Sequence, residues 1–147
     1  MRRAGDQAGN AVVRGGSTID TSAIDQWLRL YLEAWATDAS EDIARLFTED
    51  AQYFTTPFRK PISGRSAIVA WWVDQRDSAI RWTFDHEVIA QGAGLQGESL
   101  FVVRGVTRYP DGLEEPGIAE IYHNLWLVSL GEDGRATEFV EYWMLED

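Results

Sequence analysis

Residues 118–145 decide the fold, reading IAEIYHNLWLVSL (118–130), GEDG (131–134) and RATEFVEYWML (135–145). A glycine-bounded turn between two runs rich in branched and aromatic residues predicts a β-hairpin. Side chains alternate between two faces along a strand. One face of the hairpin therefore mixes aromatic and polar residues, namely Glu120, Tyr122, Asn124, Trp126 and Val128 on the first arm and Phe139, Glu141 and Trp143 on the second.

The opposite face of the hairpin is also largely apolar, with Ile121, His123, Leu125 and Leu127 on its first arm. Neither face is plainly solvated, so we expect both to be covered. A monomer seldom exposes an apolar patch of roughly several hundred Å². We therefore expect a second copy of the chain to cover this face as a homodimer. The mixed face suits the wall of a cavity for a small hydrophobic molecule.

Composition sets the class of protein. The chain has 147 residues, of which 45% are hydrophobic and 12% aromatic, as in one folded domain with its own core. Its formal net charge of −11 argues against nucleic acid and against an anionic membrane surface as partners. The absence of cysteine excludes disulfides, cysteine-based metal sites and a thiol nucleophile.

The first twenty residues differ from the rest. Glycines at positions 5, 9, 15 and 16 interrupt them, and they show no periodicity. We interpret residues 1–20 as a flexible N-terminal tail and residues 21–147 as one domain. No apolar run follows Arg2 and Arg3, so no secretory signal is predicted, and no stretch has the length of a membrane span. These features favour a cytoplasmic protein.

Between the tail and the hairpin, the apolar spacing changes from helical to strand-like. Ser22 is expected to cap the first helix, with Asp25 three residues on, and Ser40 to cap the second. Helices followed by strands are typical of an α+β fold, with the helices on one face of a mostly antiparallel sheet. The predicted helices cover residues 22–35, 40–47 and 66–75; the predicted strands cover 51–56, a run from 81 to about 90, 100–109 and the two hairpin arms.

Three runs carry a family resemblance: LYLEAWATDASEDIARLFTEDAQYFTTPF (30–58), ISGRSAIVAWW (62–72) and GRATEFVEYWM (134–144). They resemble the SnoaL-like branch of the nuclear transport factor 2-like superfamily. The resemblance implies a cone-shaped fold, in which a strongly curved sheet and three helices close an internal pocket, and it implies frequent homodimers. Members include polyketide cyclases, ketosteroid isomerases, epoxide hydrolases, dehydratases and binding domains without catalysis, so the fold leaves the activity open.

The resemblance also implies site residues. The run from Phe139 to Trp143 is similar to a pocket segment of the limonene epoxide hydrolases, which places Glu141 where those enzymes have an acid. Tyr53 matches their water-holding tyrosine, whereas Thr55 stands where they have an asparagine. Their second acid has no counterpart beyond Arg104, so epoxide hydrolysis through their carboxylate–arginine–carboxylate relay is not expected.

Glu141 allows two interpretations. A carboxylate among aromatic rings has its pKa raised by desolvation, which suits a catalytic base near neutral pH, and nearby Tyr and Asn donors would stabilise an enolate oxygen. Alternatively, Glu141 forms a buried structural ion pair with Arg104.

The candidate site is assembled from these parts. No metal-site spacing, dinucleotide-binding glycine pattern, P-loop or nucleophile elbow is present, so neither a metal nor a cofactor is expected. The expected catalytic residues are Glu141, Arg104 and Tyr53. The expected substrate-binding residues are Tyr31, Trp35, Thr55, Trp72, His86, Glu120, Tyr122, Asn124, Trp126, Phe139 and Trp143.

Two functions fit these observations. One is cofactor-independent acid–base catalysis, as in an isomerase, cyclase or dehydratase, on a small hydrophobic substrate. The other is a non-catalytic ligand-binding or dimeric interaction module of the same fold. A cavity that is open to Glu141 favours catalysis, whereas pairing with Arg104, or closure by Trp35 and Trp72, favours the module.

Overall fold

The computed structural model describes residues 11–14, 17–75 and 80–147. Three helices and eight strands follow one another along this part of the chain. Their bounds are β1 Ala11–Arg14, β2 Ser17–Asp20, α1 Ser22–Thr37, α2 Ser40–Ala44, β3 Phe47–Phe54, β4 Ile62–Ser63, α3 Arg65–Gln75, β5 Thr83–Ala93, β6 Ser99–Tyr109, β7 Glu120–Leu130 and β8 Ala136–Leu145.

The period-two pattern after residue 81 produces an antiparallel meander of β5, β6, β7 and β8. Beyond β8 the sheet continues with β3, which pairs parallel to β8, and with β4, giving the order β4-β3-β8-β7-β6-β5. Irregular register in β3, β5 and β8 accompanies the curvature of this unclosed sheet. The predicted α+β class and the mostly antiparallel curved sheet are confirmed.

The N-cap of helix α1 is Thr21, one residue earlier than predicted. The carboxylate of Asp20 accepts from the backbone N–H of Ser22 at 2.9 Å and from its hydroxyl, so Ser22 is the first helical residue rather than the cap. The hydroxyl of Thr21 donates to Asp25 at 2.8 Å. Helix α1 packs its aromatic stripe on the sheet, where Trp27 Nε1 donates to the carbonyl oxygen of Leu46 at 2.9 Å.

The second predicted helix is too long. Helix α2 ends at Ala44, and Phe47 already begins β3, because it pairs with Ala136 at the start of β8. Ser40 is the first residue of α2 and makes no side-chain cap. Tertiary pairing therefore overrides the local helical pattern at this point.

Aromatic rings fill the space between α1 and the sheet. Phe139 is fully buried, with its ring centroid 4.6 Å from that of Tyr53 and 5.1 Å from that of Trp126. The ring of Phe84 also stacks on Trp126, with ring centroids 4.7 Å apart. A Cβ at Gly105 would lie 2.3 Å from the Phe84 ring, so only glycine at this position of β6 allows that stack.

The predicted tail contains two short strands. Residues 11–14 and 17–20 pair antiparallel as a separate two-stranded sheet, whereas residues 1–10 lie outside the described part of the chain. No helix among the described residues has the length and apolar character needed to cross a membrane.

Candidate active site

Two adjoining cavities lie between the helices and the inner face of the sheet. Their volumes are about 210 and about 410 Å³. Six residues line both cavities, which together form one cleft. The shared residues are Tyr31 and Trp35 from α1, Trp71 and Gln75 from α3, Tyr109 from β6 and Glu141 from β8.

Glu141 lies where the two cavities meet. It pairs with Trp126 across β7 and β8, so both side chains point to the inner face. Its Oε2 accepts from Trp126 Nε1 at 2.9 Å and from Asn124 Nδ2 at 2.6 Å. No side chain in the described part of the chain donates to Oε1. One oxygen is therefore held by the protein and the other faces the cleft.

Thr107 orients the amide that holds Glu141. Its hydroxyl donates to Asn124 Oδ1 at 2.8 Å, which leaves the amide nitrogen of Asn124 to donate to Glu141. Thr107 and Asn124 are both buried. The chain Thr107–Asn124–Glu141 therefore fixes which atom of the amide faces the carboxylate.

The enclosure of Glu141 changes its acidity. Removal of its carboxyl from water raises its pKa above the ordinary value, and the hydrogen bonds from Trp126 and Asn124 offset only part of this rise. None of the described residues that line the cleft is a lysine, arginine or histidine. The side chain thus has the character of a desolvated acid–base group.

The inner wall of the cleft holds two further polar pairs. The hydroxyls of Tyr31 and Tyr53 are hydrogen-bonded at 3.0 Å. Asp38, which ends α1 in the left-handed conformation with φ of 52°, accepts from Trp72 Nε1 at 2.9 Å. Both pairs line the smaller cavity together with Glu141.

Glu120 shapes the mouth of the cleft without lining it. Its carboxylate accepts from the Tyr122 hydroxyl at 2.7 Å and from the backbone N–H groups of Leu113 and Glu114 at 2.9 and 2.8 Å. The Tyr122 hydroxyl and the backbone N–H groups hold the pKa of Glu120 below its usual range. Burial and the charge of Glu120 raise the pKa of Tyr122 to about 12. Leu113, Glu114 and Tyr122 line the larger cavity, so Glu120 fixes the loop that borders it.

The structure corrects the placement of Arg104. This residue pairs with Leu125 across β6 and β7 and lies on the outer face of the sheet. There its Nε donates to Glu87 at 3.2 Å, and its side chain is 62% exposed. Because side chains alternate between the two faces of the sheet, Arg104 and Glu141 lie on opposite faces. The buried ion pair considered for them does not form.

Four expected substrate-binding residues also lie outside the lining of the cleft. His86 packs under α1, stacked on Phe84 at 5.3 Å. Phe139 is covered by the rings that line the wall. Glu120 binds the backbone of the loop between β6 and β7 instead. Thr55 follows the end of β3, where strand alternation stops, and it lines neither cavity.

Nine of the expected residues do line the cleft: Tyr31, Trp35, Tyr53, Trp72, Tyr122, Asn124, Trp126, Glu141 and Trp143. The residues missed by the sequence analysis are Asp38, Trp71, Gln75, Thr107, Tyr109, Leu113 and Glu114. Alternation along β6 could have indicated Thr107 and Tyr109. Nothing local in the sequence indicates Asp38 or the loop residues. Within the described residues, no three His, Asp or Glu side chains are grouped to hold a metal ion.

Comparison with known proteins relates this geometry to a family. A family model described as a SnoaL-like domain matches residues 28–139. By sequence, no curated protein matches the chain. Among solved structures, a putative scytalone dehydratase from Novosphingobium aromaticivorans is 16% identical with a TM-score of 0.67, and the match covers 85% of each chain.

Two further solved structures share the fold. The epoxide hydrolase/cyclase-like enzyme SalBIII, from pyran ring formation in salinomycin, is 15% identical with a TM-score of 0.58 over 82% of this chain and 92% of its own. An LEH-like epoxide hydrolase from M. tuberculosis is 14% identical with a TM-score of 0.58 over 84% of each chain. Identities this low show the shared fold alone. With the family model matching most of the chain, the protein belongs to the SnoaL-like domain family.

Proposed function

We propose that this protein is a cofactor-independent acid–base catalyst that moves a proton on a small hydrophobic substrate, in a reaction of the isomerase, cyclase or dehydratase type. The observation that carries the proposal is the environment of Glu141. Its carboxyl is desolvated, has no cationic partner in the described part of the chain, and has one oxygen facing the cleft.

The two oxygens of Glu141 have different roles in this proposal. Oε2 is held by Trp126 and Asn124, which prevents rotation of the carboxyl group. Oε1 takes a proton from a substrate carbon that is made acidic by a neighbouring carbonyl. Because desolvation raises the pKa of Glu141, the group is a stronger base than a solvated carboxylate. The same oxygen then returns the proton to another position of the substrate.

The oxygen of the reacting carbonyl needs a different partner from those expected. The amide nitrogen of Asn124 already donates to Glu141, and the hydroxyl of Tyr122 donates to Glu120. Neither group is directed at a substrate oxygen. The Tyr31–Tyr53 hydroxyl pair lies on the wall of the cleft near Glu141 and is the polar group that we assign to this contact.

Isotope exchange tests the proposal without knowledge of the substrate. Isomerisation, aldol-type cyclisation and dehydration next to a carbonyl share the removal of an α-proton. We would incubate the protein in D₂O with a panel of cyclic ketones, hydroxyketones and aromatic ketones, and follow α-deuteration by proton NMR. The account predicts exchange above the buffer rate for a subset of the panel and loss of that exchange in Glu141→Gln.

A matched control is available on the same strand. Glu138 also lies on β8, but it lines a separate groove near the β7–β8 turn. Glu138→Gln should therefore catalyse deuterium exchange at the parent rate. Exchange at the buffer rate by the parent, or equal exchange by parent and Glu141→Gln, would contradict catalysis by Glu141. Saturable binding without exchange would instead favour the non-catalytic ligand-binding module.

A further inference from the structure

Among the described residues, every charged side chain that lines the cleft is acidic. Asp38 and Glu141 lie within it, and Glu114 lies at its mouth, next to the anchoring carboxylate of Glu120. The chain as a whole carries a formal net charge of −11. Desolvated walls focus such a field, so an anionic group is repelled as it approaches the cleft and a cationic group is attracted.

Three hydrogen-bond donors of the cleft are directed at two of these carboxylates. Trp126 and Asn124 donate to Glu141, and Trp72 donates to Asp38. These donors are unavailable to a carboxylate or phosphate on a ligand. An anionic group would therefore lose its water without gaining these bonds, and such a loss is costly.

Aromatic rings line the mouth of the cleft. Tyr122 makes edge contacts with Tyr109 and Trp143, with ring centroids at 5.8 and 5.7 Å. Glu114 lines the larger cavity together with these three rings. Rings of Tyr and Trp attract a cation over their faces, and an adjacent carboxylate adds the counter-charge.

We propose that the substrate carries a protonated amine, which binds at the mouth among Tyr109, Tyr122 and Trp143 with Glu114 as its counter-charge. The apolar remainder of the substrate extends inward to Glu141. This inference rests on the proposed function, because it takes the cleft around Glu141 as the substrate site. It assigns charge selection to the mouth and proton transfer to the interior.

Ligands matched in shape and different in charge test the assignment. We would titrate 2-phenylethylamine, 2-phenylethanol and phenylacetate, and the three 1-naphthyl analogues, by calorimetry at pH 7 and low salt. The amine should bind about tenfold more tightly than the alcohol, as expected for a cation over aromatic faces with a nearby carboxylate. The carboxylate should bind most weakly, and added salt should reduce the preference.

Two loop variants identify the group responsible. Glu114→Gln should remove most of the preference for the amine over the alcohol. Glu115→Gln, the neighbouring exposed residue that does not line the cleft, should leave it unchanged. Equal binding of amine and alcohol, tighter binding of the carboxylate, no amine binding in either series, or equal behaviour of the two variants would overturn the inference.

The two proposals fail in different ways. Isotope exchange that depends on Glu141, together with no preference for amines, would overturn the amine inference and leave the catalytic proposal standing. Amine binding through Glu114, together with no exchange on any ketone of the panel or on aromatic ketones that carry an aminoethyl group, would overturn catalysis and leave charge selection standing.

Discussion

Replacement of Glu141 by Gln at pH 7 should leave the free energy of unfolding unchanged or raise it by up to about 2 kcal/mol. The amide keeps the shape of the side chain, and its oxygen can accept from Trp126 and Asn124 in place of Oε2. Exchange of two charge-assisted bonds, each worth about 1.5–3 kcal/mol, for neutral ones worth about 0.5–1.5 loses about 2 kcal/mol. Removal of a desolvated charge recovers several kcal/mol.

The direction of the pKa shift shows which is larger, the loss in hydrogen-bond free energy or the gain from removing the desolvated charge. Because the pKa of Glu141 is raised in the folded protein, desolvation outweighs the two hydrogen bonds, and the ionised form opposes folding. The parent therefore loses stability as the pH rises from the unfolded pKa of Glu141 through its folded pKa. The Gln variant lacks this loss, so its advantage should grow across that window and stay constant above it.

Urea denaturation of the parent and Glu141→Gln at several pH values measures this difference, with Glu138→Gln as the matched control on β8. A loss of about 3–5 kcal/mol in Glu141→Gln would refute the reasoning, because it is the cost of stranding a buried partner charge. A difference that shrinks as the pH rises would refute the sign of the pKa shift.

Three other predictions concern the supports of the cleft and the outer face of the sheet. Thr107→Val should destabilise the protein by about 1 kcal/mol by removing a buried hydrogen bond to Asn124, as urea denaturation would show, and equal stability would contradict that role. Glu120→Gln should speed proteolysis of the β6–β7 loop at neutral pH, and parent-like resistance would show that the loop does not depend on this carboxylate. Leu125→Glu should convert the expected dimer to a monomer in sedimentation. Leu95→Glu, a control in a fully exposed turn, should leave the dimer intact. A parent protein that sediments as a monomer would contradict the expected dimer.

Strand parity was the most informative feature of the sequence. It placed Asn124, Trp126 and Glu141 on one face, and the structure brings these three side chains into direct hydrogen bonds. The same parity would have turned Arg104 away from them, because Arg104 alternates with the inward-facing Val103 and Gly105. A motif matched by position alone therefore misplaces Arg104, because the alternation along β6 decides which face it occupies.

Features set by tertiary structure were harder to predict. The start of β3 at Phe47 depends on pairing with Ala136 of β8, 89 residues away in the sequence, and local helical spacing does not indicate it. Asp38 reaches the cleft because it adopts a left-handed conformation that glycine usually supplies, and its residue type does not signal this. Glu114 lies at the mouth in a loop whose backbone N–H groups donate to Glu120, a contact that no local sequence pattern indicates.

The central claim is that Glu141 is a desolvated acid–base group facing an open cleft. Titration of its side-chain carboxyl by carbon-13 NMR, with the signal assigned by its absence in Glu141→Gln, tests this claim directly. The account predicts a pKa clearly above the ordinary value of 4.5. A pKa at or below 4.5 would show a solvated or charge-paired carboxylate and would contradict the account.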